Sequence, residues 1–189
     1  MSVQANLKKI IAELATNSEL IQDTQLNALI DLMIKAKDHH IFLAGAGRSG
    51  LAIRGFANRL LHLGFSVSLI GEISNPHSHQ GDLLIVGSGS GETESLVALA
   101  NKARKRNVMI GLVTMDAQST LAKLADVVVI LPGVSPKLQH EGAQIHSIQP
   151  MGSAFEQICF LTYDGIILEL MDKLDQNSDE MFTRHADLE

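Results

Sequence analysis

A run of hydroxyl and glycine residues, Ser88-Gly89-Ser90-Gly91-Glu92-Thr93, stands between a short apolar stretch and a helical pattern. Glycines let backbone amides turn toward one point, and the start of a helix adds a positive electrostatic end. A capped helix with Ser90 or Gly91 at the N-cap would account for one hydroxyl, but three are present. This segment, the second loop, lacks the lysine of a Walker-type loop and predicts a phosphate site in which Ser88, Ser90 and Thr93 donate to the anion.

An earlier glycine-rich segment, Gly45-Ala46-Gly47-Arg48-Ser49-Gly50, has the spacing of a dinucleotide fingerprint. Glu72 stands where the acidic partner of a ribose would be expected. Any tight strand-to-helix turn also favours glycines, so this segment, the first loop, is equally explained as a structural turn. A dehydrogenase usually needs added substrate-binding structure, which the remainder of the chain does not offer. Arg48 supplies positive charge to an anion in either case.

Glu156 is a carboxylate in the otherwise apolar segment Ala154–Leu161, which predicts a buried helix. Burial disfavours the charged form and raises the proton affinity of a carboxylate toward working pH, as a general base requires. The alternative is a structural ion pair with Arg48 or Arg54. The residues alone favour the ion pair, because such pairs are common in folded proteins.

Other reactive side chains give weaker signals. Two groups could chelate a metal: His77 with His79, and His140 with Glu141 and His146. Neither group has a complete ligand spacing, so no metal site is predicted and surface histidines are expected. Cys159 falls in the apolar helical segment, where a buried, inert thiol is expected.

The elements that must position these residues follow from the apolar pattern. Two helices are predicted in residues 1–38, and from residue 40 short strands alternate with helices. The predicted strands are 40–45, 65–70, 82–87, 108–114 and 127–131, and the predicted helices are 48–63, 92–107, 120–125 and 150–174. A polar loop over 132–149 and a polar tail over 175–189 complete the chain. This alternation predicts an α/β fold, a parallel sheet with helices on both faces. Ligands of such sheets bind beyond the carboxyl ends of the strands, where both loops fall.

Length and composition limit the possible functions. A chain of 189 residues, 46% hydrophobic and 19% charged, predicts one globular domain. A net charge of −6 argues against a nucleic-acid partner, and a single cysteine excludes a disulfide framework. No apolar stretch is long enough to span a membrane, and the N-terminus lacks the apolar core of a signal peptide. A cytoplasmic protein is therefore expected.

The pairing of AGAGRSG with GSGSGET resembles the SIS (sugar isomerase) domain family, and the resemblance extends over essentially the whole chain. The segments QPMGSAFEQ and RHADLE are most similar to its 6-phospho-3-hexuloisomerase branch. The resemblance implies a three-layer αβα sandwich with a five-stranded parallel sheet in flavodoxin-like order, preceded by an N-terminal helical hairpin that packs on, or is exchanged between, subunits. It also implies a homotetramer that interconverts 3-hexulose 6-phosphate and fructose 6-phosphate, in formaldehyde assimilation (the ribulose monophosphate pathway) or pentose supply.

The same resemblance implies roles for individual residues. Ser88, Ser90 and Thr93 hold the sugar phosphate, and Glu156, after the Pro-Met-Gly turn, is the base. The implied substrate-binding set comprises both loops: Gly47, Arg48, Ser49, Ser88, Gly89, Ser90, Gly91, Glu92 and Thr93. The chain departs from the branch at His77 and His79, where apolar or small residues are usual, which leaves the sugar open.

Moving a carbonyl between neighbouring carbons needs a base and a second group that moves a proton between the oxygens, and it needs no redox cofactor or metal. The C-terminal segment offers such a group in His185, between the possible apolar anchors Phe182 and Leu188. Related SIS isomerases place a histidine from an adjacent subunit in the site, so the resemblance implies this role for His185. The alternative is a solvated tail with an idle histidine.

Three functions remain open from the sequence. The first is a sugar-phosphate isomerase, acting on 3-hexulose 6-phosphate or another sugar phosphate. The second is a non-catalytic sugar-phosphate sensor, although residues 1–40 hold no basic helix-turn-helix of the kind that SIS regulators carry. The third is a dinucleotide-binding protein that uses the first loop.

Overall fold

The computed structural model describes residues 2–136 and 146–188. Five parallel strands form one sheet: β1 (His40–Gly45), β2 (Ser66–Leu69), β3 (Leu83–Gly87), β4 (Met109–Thr114) and β5 (Val127–Ile130). The strands pair in the order β2-β1-β3-β4-β5. This is the flavodoxin-like order that was expected, and the α/β fold class is confirmed.

The register of β1 and β3 brings the two glycine-rich loops together. The strands pair from Ile41 with Leu83 through to Gly45 with Gly87. Both strands therefore end at the same level, and the first and second loops leave the sheet side by side. The chain turns from β1 toward β2 on one side and from β3 toward β4 on the other, so this is the point where the strand order reverses.

Helices cover both faces of the sheet and make the three expected layers. The helices are α1 (Val3–Ser18), α2 (Asp23–Lys35), α3 (Gly47–His62), α4 (Glu94–Lys105), α5 (Thr120–Leu124), α6 (Ser153–Lys173) and α7 (Ser178–Phe182). Successive strand residues point to opposite faces. Leu43 and Ile85 pack in a core with α2, α3 and α6, whereas Phe42 and Leu84 pack in a second core with α4 and α5.

The structure differs from the sequence expectations at the starts of two helices and in the tail. α4 begins at Glu94 and α6 at Ser153, each after a turn with a left-handed residue, Gly91 or Met151. The tail contains α7, whose N-terminus carries a capping box between Asn177 and Glu180. The tail was expected to be irregular because its composition is polar, and the capping pair was not recognised.

The apolar residues expected to anchor the tail are exposed within their own chain. The exposed fraction is 73% for Phe182 and 97% for Leu188, whereas Met181 is buried. Arg184 fixes the tail by donating hydrogen bonds to the His62 carbonyl (2.8 Å) and to Gln176 Oε1 (3.0 Å). Within residues 2–136 and 146–188, no helix is long and apolar enough to cross a lipid bilayer.

Candidate active site

A cavity of about 600 Å³ lies at the carboxyl ends of β1 and β3. It is enclosed by the first loop, the second loop and the first turn of α6. Eight of the residues singled out from the sequence line it: Gly47, Arg48, Ser49, Ser88, Gly89, Ser90, Thr93 and Glu156. The structure therefore brings the expected phosphate loop and the expected base to one cavity, although more than sixty positions separate them in the sequence.

The second loop presents hydrogen-bond donors that the folded chain does not use. Thr93 is the N-cap of α4, yet its side chain makes no capping hydrogen bond, contrary to the capping alternative at Ser90 or Gly91. Within the described part of the chain, the Ser88 hydroxyl and the N–H groups of Gly89 and Ser90 also lack a hydrogen-bond partner. These donors at the positive end of a helix of 12 residues form an arrangement suited to a phosphate.

Gly91 and Glu92 belong to the second loop but do not line the cavity. Gly91 has a φ of +63°, and a side chain there would collide with the Ser119 hydroxyl, so the loop can approach α5 only with glycine at this position. Glu92 Oε1 accepts a hydrogen bond from the Thr120 N–H at 2.6 Å. That bond lowers the pKa of Glu92 below its ordinary value of 4.5.

The first loop contributes a guanidinium to the cavity. Arg48 Nη1 donates to Ser153 Oγ at 2.8 Å and lies 3.1 Å from Glu156 Oε2. Ser49 lines the cavity, but its hydroxyl donates to the Ala46 carbonyl at 2.9 Å and thus closes the first turn of α3. Arg48 connects the first loop to the start of α6.

Glu156 stands in the first turn of α6, a helix that buries one face and, contrary to the all-round burial expected from its apolar sequence, leaves Phe160, Leu161 and Leu168 exposed. Its side chain is 22% exposed, so the carboxylate is half-buried rather than fully buried as the apolar sequence predicted. The ion pair weighed as the alternative role exists with Arg48, whereas Arg54 lies 3.8 Å from Glu72 instead. Glu156 therefore forms an ion pair with Arg48 and also lines the cavity.

The apolar part of the cavity was not identified from the sequence. Leu96, Met115, Met151 and Phe155 line it together with the polar residues. A Cβ atom at Gly89 would press on Met115 and Phe155, so the missing side chain at Gly89 makes room for both. Ser153, the partner of Arg48, belongs to the quoted QPMGSAFEQ segment but had been given no role. The sequence motif thus contained Ser153, but only the fold shows that its side chain contacts Arg48.

Glu72 does not support a dinucleotide site. It is exposed, pairs with Arg54 and does not line the cavity. His77 and His79 do not line the cavity either. His77 Nε2 lies 2.8 Å from Arg106 Nη1, outside the cavity. His140 and Glu141 fall outside the described residues. In the described ranges, no three His, Cys, Asp or Glu side chains are grouped so as to hold a metal ion.

His185 lies far from the cavity of its own chain. Its ring is 5.2 Å from the ring of His62, at the C-terminal end of α3, whereas the first loop is at the N-terminal end. A helix rises 1.5 Å per residue, so about 20 Å separate the two ends. His185 is exposed and borders a cavity of about 390 Å³ with Arg59, His62 and Asp164.

Two other reactive side chains of α6 are sequestered. Cys159 and Tyr163 are buried, and burial raises the pKa of both groups. Neither lines the cavity, so neither is a candidate proton donor. The burial expected for the Cys159 thiol is confirmed.

A larger cavity of about 870 Å³ lies between α1, α2 and α6. Its lining is mostly aliphatic, for example Ile11, Leu26, Ile30 and Ile166, and it contains no cluster of donors comparable to the second loop. Its size does not make it the candidate site, because catalysis needs positioned polar groups.

The sequence and the fold of this chain are similar to those of known proteins. The SIS domain model matches residues 33–160. A 3-hexulose-6-phosphate isomerase from Bacillus subtilis (strain 168) is 43% identical over 189 residues, covering 100% of both chains. A 3-hexulose-6-phosphate isomerase from Mycobacterium gastri is 39% identical over 184 residues, covering 97% of this chain and 90% of the relative.

A solved structure from Methanococcus jannaschii is also similar, with a TM-score of 0.77 and 35% sequence identity. The match covers 98% of this chain and 96% of that chain. Its authors inferred from the structure a molecular function of 3-hexulose-6-phosphate isomerase for that protein. The similarity thus includes the sheet, both loops and the flanking helices.

Proposed function

The chain belongs to the SIS domain family, and on that premise we propose that it is an isomerase that interconverts 3-hexulose 6-phosphate and fructose 6-phosphate. The observation that carries the proposal is the cavity, in which the free donors of the second loop and the Glu156 carboxylate share one space. Full-length identity of 43% to a 3-hexulose-6-phosphate isomerase supports this choice of substrate.

We propose that the second loop binds the phosphate of the substrate. The Ser88 and Thr93 hydroxyls and the N–H groups of Gly89 and Ser90 would donate to the phosphate oxygens, with the positive end of α4 behind them. The anchored phosphate would leave the sugar carbons to extend toward Glu156. The apolar side chains of Met115 and Phe155 would exclude water from the reacting carbons.

Glu156 would serve as the base of the proton transfer. From the 3-ketose, its carboxylate takes the proton from C2, and the electrons of the broken C–H bond form the C2=C3 double bond of a 2,3-enediolate, whose negative charge lies on O3. Returning the proton to C3 while the hydroxyl proton moves from O2 to O3 gives the 2-ketose. General acid–base steps of this kind typically contribute about 10²–10⁴-fold in rate. Arg48, paired with Glu156 and with Ser153, would hold the carboxylate in position.

The second proton-transfer group would come from another subunit. His185 lies about 20 Å from the cavity of its own chain, a distance estimated from the helical rise of α3, and it stands on an exposed tail. We propose that it completes the cavity of a neighbouring subunit, where it opens the sugar ring or moves the proton between the oxygens.

We further propose that the chain assembles with itself, as a homotetramer according to the family resemblance. The support is a set of large apolar side chains on the outer surface of α1, α3 and α6 that are at least 46% exposed: Leu7, Ile11, Leu51, Phe160, Leu161 and Leu168. The N-terminal helices would pack on, or be exchanged with, a second copy. Light scattering coupled to size-exclusion chromatography measures the mass of the assembly.

The decisive test is isotope exchange. The purified protein is incubated with fructose 6-phosphate in deuterated water, and NMR follows deuterium at C3 and the appearance of the 3-ketose. Exchange together with formation of 3-hexulose 6-phosphate is expected, and the Glu156→Gln variant serves as the control. Thermal stabilisation by the sugar phosphate without exchange would indicate a sensor. Stabilisation by NAD alone would indicate a dinucleotide-binding protein.

A further inference from the structure

Hydrogen bonds connect the second loop to the end of β4, to the residue that follows it and to α5. The Gly89 carbonyl accepts hydrogen bonds from the Thr114 hydroxyl (3.1 Å) and from the Met115 N–H (3.0 Å). The Gly91 carbonyl accepts a hydrogen bond from the Leu121 N–H at 3.1 Å. The carbonyl oxygens of Gly89 and Gly91 are thereby directed toward the end of β4 and toward α5.

The direction of the Gly89 carbonyl determines the direction of the next N–H group. The peptide between Gly89 and Ser90 is planar and trans, so its C=O and N–H point to opposite sides. Since the carbonyl points to Thr114, the Ser90 N–H points away from β4. This N–H makes no hydrogen bond to any other described residue, and Ser90 lines the cavity.

Thr114 is the one side chain among the described residues that holds this peptide by a hydrogen bond. It is fully buried (0% exposed) at the end of β4 and does not line the cavity. Its hydroxyl donates its single proton to Gly89 and accepts the Asp116 N–H at 3.2 Å. The hydroxyl is therefore fixed on both sides and is not free to bind a substrate.

We propose that Thr114 is a positioning residue of the phosphate site, whose hydroxyl holds the Gly89–Ser90 peptide with its N–H group toward the phosphate. The inference rests on the proposed function of the second loop. A peptide turned the other way would present the Gly89 carbonyl oxygen to an anion, which replaces an attraction with a repulsion. Thr114 thus acts on the phosphate without touching it.

The test compares Thr114→Val, which keeps the shape and removes the donor, with Thr114→Ser, which restores the donor. Thr162→Val in α6 is the control, because it also removes a nearly buried hydroxyl (8% exposed), but away from the second loop. Calorimetry measures binding of fructose 6-phosphate, of fructose and of inorganic phosphate. Steady-state kinetics separate KM from kcat.

We expect Thr114→Val to weaken binding of fructose 6-phosphate and inorganic phosphate by at least about tenfold, the scale of one hydrogen bond to a charged group. Binding of fructose should not change. KM should rise while kcat stays near that of the unmodified protein, as for lost uniform binding. Thr114→Ser should restore the affinity, and Thr162→Val should leave it unaltered. Equal effects of the two valine variants on the phosphate ligands would overturn the proposal.

A measurement on the unmodified protein covers the case in which Thr114→Val does not fold. Titration with inorganic phosphate should shift the Ser90 amide resonance strongly in the NMR spectrum. An unshifted Ser90 amide in a protein that binds and isomerises the sugar phosphate would refute the role of Thr114 and leave the proposed function intact. Failure of the unmodified protein to bind any phosphate ligand would overturn both.

Discussion

The Glu156 carboxylate is paired with the Arg48 guanidinium and also lines the open cavity. Replacing it with glutamine keeps the size of the side chain and removes the base. We expect Glu156→Gln to lower turnover by about two or more orders of magnitude, the loss expected for a positioned base, while the sugar phosphate still raises the melting temperature. Stopped assays measure the turnover. Glu169→Gln, in the same helix but paired with Lys173, should retain full activity.

A variant of Thr93 distinguishes a role in phosphate binding from a role in helix capping. Thr93 is the N-cap of α4, but its side chain makes no capping hydrogen bond. Thr93→Val should weaken binding of fructose 6-phosphate by about 1–3 kcal/mol and change the melting temperature little. Asn177 is a side-chain cap that is remote from the cavity. Asn177→Ala should do the reverse, lowering stability without altering the affinity. A large loss of stability in Thr93→Val would mean that its hydroxyl supports the fold instead.

At the scale of single residues, the sequence predicted the members of the cavity better than their partners. Ser88, Thr93 and Glu156 were identified because each belongs to a local pattern, a loop after a strand or a charge in an apolar helix. Arg48 bonding to Ser153 joins positions more than one hundred residues apart, and no local pattern encodes such a pairing. Thr114 was missed for the same reason, since its role depends on a neighbouring strand.

The second loop and α5 are connected by the hydrogen bond from the Thr120 N–H to the Glu92 carboxylate. This bond favours the ionised form and lowers the pKa of Glu92 in the folded chain. Its contribution to stability is therefore fully present above the ordinary carboxyl pKa of 4.5 and is lost as the pH falls through the lower, folded-state value. Glu92→Gln should be less stable than the unmodified protein at neutral pH, and the difference should shrink in acid.

Thermal denaturation at several pH values measures this difference. Glu19→Gln, at the exposed end of α1, is the control for removing one negative charge. A stability difference between the unmodified protein and Glu92→Gln that is independent of pH would show that the carboxylate charge does not hold the second loop against α5.

At the scale of elements, strands were easier to predict than helix ends. Four of the strands are short apolar runs, whereas β2 alternates serine with Val67 and Leu69, and all five were found within one residue of their observed bounds. The starts of α4 and α6 depend on left-handed turns at Gly91 and Met151, which carry no periodic signal. α7 was missed because its stability comes from a capping box and a single buried side chain, Met181, rather than from an apolar stripe.

At the scale of the whole molecule, the separation of Glu156 and His185 makes a prediction about mixed assemblies. His185→Ala and Glu156→Gln should each be nearly inactive. In a randomised equal mixture, about a quarter of the shared sites would combine an intact Glu156 with an intact His185 from the neighbour, because symmetric subunits contribute equivalent surfaces. Activity should recover to a corresponding degree. Full activity in His185→Ala alone, or no recovery despite proven subunit exchange, would contradict a shared site.

The burial of Cys159 has a practical consequence for labelling. It is the only cysteine of the chain, and burial raises the pKa of its thiol, so the reactive thiolate is scarce and shielded. The native protein should remain unmodified by a maleimide dye until denaturant is added, as mass spectrometry would show, and prompt labelling of the native protein would contradict this. A cysteine introduced on the surface could then carry a fluorophore without prior removal of Cys159, and energy transfer between two labelled preparations would report the exchange of subunits directly.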